Sequence, residues 1–361
     1  MRTRFTLFFG IFSVMALSNA IVPVLPAFAV SSTLQGAIYS AYFLGAFAST
    51  LPAGLLSDRV GRVPLIRAGL VITLVTGLLL YLVTSPGAVI ALRFIEGVGA
   101  GCFVAAAMSA VNYGPGHRQM SGFFMALMNA GLVIGLVAAG WLATDHANPA
   151  AGILLFSLCA LLPASISFFI RESPRIPSDA GPAIIRLYLR DYRRLWYSAV
   201  ILIGVTGVVT SLYPKFSGAS PDIVGIWIAG MSCATIAAVL VASGITIPSY
   251  QVIRISAVLM AAGVIVTIVS PWGFVILGGL AGFVMIAQMA VLARAQDHQG
   301  VVMGLYSTAG YLGMTVLPFL AGFLADMTGF LSAFCVTALL AATAAVAIGT
   351  DPSGWVEPRE E

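Results

Sequence analysis

Charge is what this sequence has least of: Asp, Glu, Lys and Arg make up 8% of its 361 residues, against about 25% in an average soluble domain. So few charges cannot cover a water-exposed surface, which excludes a soluble globular protein. Histidine is almost as scarce. His117, His146 and His298 fall in separate polar breaks, so no nucleophile–base pair or metal-ligand set can be assembled from them, and an enzyme is not expected. The four cysteines, Cys102, Cys159, Cys233 and Cys335, lie inside apolar runs with no CxxC spacing, and read as packing residues with no metal or cofactor role. Short alternating segments of about ten residues, the mark of a membrane β-barrel, are missing too.

What fills the chain is apolar sequence, 60% of it, in runs of about 20 residues that return after each short polar break. That is the length needed to cross a hydrocarbon core of about 30 Å, and backbone groups in lipid must be satisfied within a helix. The expected fold is all-α and polytopic. Twelve membrane helices fit, at about residues 5–29, 33–56, 64–84, 87–111, 119–143 and 150–170, then 195–213, 221–243, 251–270, 272–294, 299–325 and 331–349. The basic start and the Ser18-Asn19-Ala20 stretch imitate a secretory signal, but the apolar run continues through Val30, which favours a retained first span.

Lys and Arg collect in cytoplasmic loops. Placing both termini in the cytoplasm puts 15 of the 17 basic residues there, leaving only Lys215 outside and Arg93 within the membrane. The net charge of +4 is therefore a topological signal, and nucleic acid is not an expected partner. The longest polar stretch, Arg171 to Asp191, splits the chain into a first six-helix bundle (1–170), a linker (171–194), a second bundle (195–350) and a tail (351–361). Within the linker Arg186, Arg190, Arg193 and Arg194 interleave with Leu187, Tyr188, Leu189 and Trp196. This pattern suits either an interfacial helix on anionic headgroups or a solvated basic linker.

The halves carry an internal repeat. Gly122, Gly131 and Gly140 recur as Gly304, Gly313 and Gly322, each displaced by 182 residues, as do Ala139/Ala321, Leu142/Leu324 and Ala143/Ala325. Duplicated halves commonly cradle a site between them. Gly131 and Gly135 also form a GxxxG face for tight helix packing. Between the second and third spans the chain reads Gly54-Leu-Leu-Ser-Asp58-Arg59-Val-Gly61-Arg62-Val-Pro64, which resembles the GxLxDRxGRxx signature of the major facilitator superfamily (MFS). Arg93-Phe-Ile-Glu96-Gly97 is similar to the family's RxxxG motif. The resemblance covers essentially the whole chain and is nearest to the drug/proton antiporter branch, although that branch's Gly-Pro pair is here Gly135-Leu136, with Pro318 in span eleven. It implies two pseudo-symmetric six-helix bundles that rock about a midplane site. It also implies that Gly54, Asp58, Arg59, Gly61 and Arg62 form a cytoplasmic latch favouring the outward-open state. Gly54 and Gly61 would allow close helix approach and a tight turn, Asp58 could accept from helix N-terminal amides, and the arginines could pair with carboxylates or headgroups. The matching loop of the second half, Gly244 to Arg254, lacks the acidic residue, so any latch should be one-sided.

Counting inward from Pro86 at about 1.5 Å per residue puts Arg93 roughly 10 Å and Glu96 roughly 15 Å deep. An isolated ionised group there costs roughly 2.5–3.5 kcal/mol on insertion scales, so the two should face the interior or each other, and at i and i+3 they can touch. Glu96 could titrate a proton with Arg93 modulating it or binding solute; alternatively they form a permanent pair that fixes the span. Asp145, Asp222 and Asp326 lie near outer span ends and read as loop residues. Asn19, Tyr39, Tyr42, Asn129, Thr206 and Tyr311 are the mid-depth polar or aromatic side chains that could line a central cavity. With few fixed charges, such a cavity suits a neutral or amphipathic solute.

The leading expectation is a secondary transporter of the cell membrane, acting as a monomer and driven by a proton gradient without a bound cofactor, most plausibly in export. Uptake or uniport of a metabolite is the nearest rival. A lipid or lysolipid flippase and a non-transporting receptor are the others, since a fold alone does not prove flux.

Overall fold

A computed structural model describes residues 2–112, 117–146, 148–170, 182–245, 248–293 and 299–349. Within them are fourteen α-helices and no strand. The first half comprises α1 (Arg2–Ala20), α2 (Leu25–Phe28), α3 (Ser32–Val60), α4 (Arg62–Leu82), α5 (Pro86–Asn112), α6 (His117–Asp145) and α7 (Ala151–Ser167). Then follow α8 (Pro182–Asp191), α9 (Arg193–Ser217), α10 (Pro221–Ser243), α11 (Ser249–Val269), α12 (Trp272–Leu292), α13 (Gln299–Thr328) and α14 (Phe330–Ile348). Taking α1 and α2 as one interrupted span and leaving out α8, these are twelve spans.

Three features depart from the expected layout. The first span is not a single helix to residue 29: it breaks after Ala20 into a 3₁₀ turn, Val22–Val24, before α2. Pro23 lacks the N–H that would bond the carbonyl of Asn19, and its ring would clash there. The basic helix ends at Asp191, so Arg193, Arg194 and Trp196 belong to α9. Its apolar face, Ile185 and Tyr188, packs on the protein core while Arg186 and Arg190 stay exposed, and the Trp196 indole donates back to the Tyr188 carbonyl at 2.9 Å. The linker stretch 171–181 and the tail 351–361 lie outside the described residues. Lastly, Cys233 and Cys335 sit on exposed faces of α10 and α14, and only Cys102 and Cys159 are partly packed.

Ten spans are long and apolar enough to cross a membrane by length and composition, and α7, with 17 residues, is shorter. The 29-residue α3 is the long helix outside that set. It carries buried Ser32, Gln35, Ser40, Ser49 and Thr50, some of which bond locally: Gln35 Nε2 donates to the Ala29 carbonyl at 2.8 Å and Thr50 Oγ1 to the Ala46 carbonyl at 2.7 Å. Such a helix is tolerated because it is shielded, packed between α5 and α13.

Packing repeats between the halves at the level of single carbonyls. A Cβ on Gly131 of α6 would run into the Phe12 carbonyl of α1, as one on Gly313 of α13 would into that of Val200 on α9. A Cβ on Gly97 of α5 would strike the Tyr42 carbonyl of α3, as one on Gly278 of α12 would that of Met231 on α10. Only glycine lets these backbones approach so closely. The halves meet through α3 against α13 and α6 against α10. Toward the end where α3 begins and α13 finishes they touch backbone to backbone, Gly36 on the Pro318 carbonyl, Gly225 on that of Leu136, Gly322 on that of Ser32 and Gly140 on that of Pro221. Toward the opposite end they loosen. A side chain added at Gly54 or Gly122 would meet nothing within 4 Å, and one at Gly304 only Leu51 at 3.8 Å.

Candidate functional site

The deepest polar constellation is built on α5. Gly97 on the Tyr42 carbonyl and Gly45 on that of Phe94 interlock α5 with α3, and the same turn of α5, residues 93–97, carries Arg93 and Glu96. Their side chains are 1% and 0% exposed, and Arg93 Nη1 donates to Glu96 Oε2 at 2.7 Å. Arg93 Nη2 donates to the Ser18 carbonyl of α1 at 3.0 Å, and its guanidinium lies 4.5 Å from the centre of the Tyr42 ring, a favourable cation–π placement in a buried site. The pair is still incompletely satisfied. Arg93 Nε and Glu96 Oε1 are buried without a hydrogen-bond partner among the described residues, and an unmet lone pair on a buried carboxylate is costly.

Beside this pair stands an aromatic wall. Tyr42 meets Phe43 edge-on at 5.2 Å, Phe43 lies 5.0 Å from Tyr39 and 6.3 Å from Tyr311 of α13, and the Tyr39 hydroxyl reaches Met314 Sδ at 3.7 Å. Tyr39, Tyr42 and Tyr311 are therefore gathered across the two halves. The other three cavity candidates are not drawn into this group: Asn19 donates to the Leu132 carbonyl of α6 at 3.3 Å, Asn129 to that of Met125 at 2.8 Å and Thr206 to that of Ile203 at 2.7 Å. Asn129 and Thr206 thus spend those donors on their own helices.

The loop motif is only partly visible. Gly61 separates α3 from α4 at φ 101°, a left-handed conformation that requires glycine, and its N–H bonds the Ser57 carbonyl. Gly54 does not mediate the close approach expected of it, since open space faces it. Arg62 opens α4 and is not without a partner; the side chains of Asp58 and Arg59 lie outside the described set.

Sequence reasoning missed three features. Phe43, the hub of the wall, is apolar and gave no polar signal. Gln288 donates to Ser198 at 2.9 Å and accepts from Tyr306 at 3.0 Å in a buried network of α9, α12 and α13; an amide inside an apolar run was the available clue. Asp222 and Asp326, read as loop residues, instead sit in helices and reach across the halves, Asp326 to the Ser32 and Thr33 amides and Asp222 to the Thr144 hydroxyl. Asp145, by contrast, ends α6 exposed, 3.6 Å from His146.

The sequence profile of the Major Facilitator Superfamily matches residues 7–245. The chain belongs to this superfamily. It is a multi-span membrane protein, and its twelve spans are those of the MFS fold. The multidrug resistance protein MdtL of Shewanella sp. (strain ANA-3) is 24% identical over 48% of this chain and 45% of its own length, so the chain spans about half the length of that curated relative. An uncharacterized MFS-type transporter, YceJ of Bacillus subtilis (strain 168), is 27% identical over 90% of both chains. Among solved structures, a bacterial homolog of the human lysosomal transporter Spinster, in an inward-facing and occupied conformation, superposes with a TM-score of 0.79 at 14% identity, covering 99% of this chain and 97% of that one. At that identity the likeness speaks to fold alone.

Proposed function

We propose that this MFS protein is a secondary active transporter that moves a small neutral or amphipathic solute by alternating access, coupled to protons and working in export. The observation that carries the reading is the fully buried Arg93–Glu96 pair, in which Glu96 Oε1 has no hydrogen-bond partner among the described residues, placed beside an aromatic wall shared by both halves. A carboxylate held by a single hydrogen-bonded cation and left with a spare oxygen can exchange that cation's bond for a proton when the halves move. The wall offers ring faces and little fixed charge, which suits an apolar or amphipathic body better than a polyanion. With the termini cytoplasmic, as the Arg distribution indicates, the loosened end faces the cytoplasm and can load solute for export. The multidrug name of MdtL agrees with that direction.

The test is proton movement in proteoliposomes loaded with a pH-sensitive dye, screening tetraphenylphosphonium, simple sugars and organic acids against wild type and Glu96→Gln. Solute-driven proton flux in wild type, lost in Glu96→Gln while binding persists, is expected. Flux unchanged by the substitution would make the pair structural, and tracer movement without any proton flux would point to a uniporter.

A further inference from the structure

The contacts that join the halves at the tight end are related by the same repeat as the glycine crossings. Gly36 on the Pro318 carbonyl corresponds to Gly225 on that of Leu136, so 36 maps onto 225 and 136 onto 318. The same displacements carry Thr33 onto Asp222 and Thr144 onto Asp326. Those four residues form two inter-half contacts, Asp326 with Thr33 and Asp222 with Thr144. The first half supplies a threonine at both places and the second half an aspartate at both, so at neither contact does a carboxylate face another.

The two contacts differ in strength. Asp326 Oδ1 accepts from the Ser32 N–H at 2.9 Å, and Oδ2 accepts from the Thr33 N–H and hydroxyl, each at 2.7 Å. These are the opening amides of α3, which its own N-cap Ser31 leaves free because that side chain accepts from Leu34. A carboxylate from one half therefore caps the positive end of a helix from the other, and separating them strands two backbone donors. Lys215 of α9 stands 3.6 Å from Asp326 and donates to Ser32 Oγ at 3.0 Å. Lys215 and Asp326 belong to the same half, so the lysine stays with the carboxylate when the junction parts. Asp222 makes a slighter contact: Thr144 donates to Oδ1 at 3.0 Å, and the Asp222 N–H lies 3.4 Å from Thr144 Oγ1. It also sits in the first turn of its own helix, where it is stabilised with the halves apart.

We infer that Asp326 and Asp222 are the positioning residues that hold this end of the transporter shut, Asp326 as the dominant staple through the α3 N-terminus and Asp222 as its weaker pseudo-twofold mate. Lys215 is the counter-charge that lets the dominant staple open without leaving its carboxylate unpaired. The inference rests on the alternating-access part of the proposed function and not on proton coupling.

The experiment is pulsed electron paramagnetic resonance on a full-length version in which the four cysteines are replaced and nitroxides are placed at exposed Val30→Cys and Met327→Cys, which flank the junction on opposite halves. The wild-type background should give a short distance. Asp326→Ala should raise the long-to-short population ratio about tenfold or more, the scale of losing a hydrogen bond to a charged group. Asp222→Ala and Thr33→Val should raise it less, and the Asp326→Ala/Asp222→Ala pair most. If the alanine variants fail to fold, Asp326→Asn and Thr33→Val carry the test with graded, smaller shifts. An unchanged distribution in folded Asp326 variants, or an Asp222 effect larger than that of Asp326, would overturn the inference. No solute or pH gradient is needed, so failure here is distinguishable from failure of the transport reading.

Discussion

The two halves share a skeleton and differ in what they bury. Gly97 and Gly101 of α5 correspond to Gly278 and Gly282 of α12, each set against α3 or α10 at equivalent carbonyls. The same register carries Arg93 and Glu96 onto Phe274 and Leu277, both 0% exposed. Where the first half encloses an ion pair that lacks two partners among the described residues, the second encloses a phenylalanine packed edge-on against Tyr213 at 4.6 Å. Its buried amide, Gln288, is elsewhere and is bonded through both its nitrogen and its oxygen. Duplication has kept the backbone contacts that set helix crossings and left the buried Arg93–Glu96 pair on one side. Close carbonyl contacts forbid any side chain, whereas the volume beside them accepts either a paired charge or an aromatic of similar size.

The largest expected effect breaks that asymmetry. Glu96→Leu alone leaves Arg93 buried and unpaired and should lower stability by about 3–5 kcal/mol, while Arg93→Phe with Glu96→Leu, which copies the second half, should recover most of the loss and abolish coupling. Thermal unfolding in detergent measures both, and a double variant as unstable as the single one would show that α5 cannot accept its counterpart's core. Next, Gly97→Ala and Gly278→Ala should each cost roughly 1–3 kcal/mol by overpacking. Similar losses would sharpen the equivalence, whereas Gly54→Ala and Gly122→Ala, which face open space, should be neutral or stabilising by up to about 1 kcal/mol. The smallest effect is Tyr306→Phe, which deprives Gln288 Oε1 of its donor and should cost about 1 kcal/mol with solute flux retained.

The spans were legible because lipid imposes helices and a minimum length on any chain that crosses it, and the twelve expected segments lie within a few residues of the observed helices apart from the break at Pro23. The 182-residue recurrence was legible for a related reason, since glycines at carbonyl contacts leave no latitude. It was also incomplete: Gly122 and Gly304 share the spacing without making close crossings. Arg93 and Glu96 were found by depth and cost, and they do touch. The staples were not, because an aspartate at a span end reads the same whether it caps its own loop or another half's helix. Nor could polarity alone sort the cavity candidates. Thr206 and Asn129 look as available as Tyr42 until their bonds to their own helices are seen.

The most direct test of the central claim, that a single buried carboxylate in the first half carries the proton, is proton release on solute binding. It would be followed with a pH indicator in weakly buffered detergent solution, using tetraphenylphosphonium as the first probe and any compound that passes the flux screen thereafter. The account predicts about one proton per protein for wild type, and none for Glu96→Gln or for the Arg93→Phe/Glu96→Leu variant. Release that persists undiminished without Glu96 would contradict it.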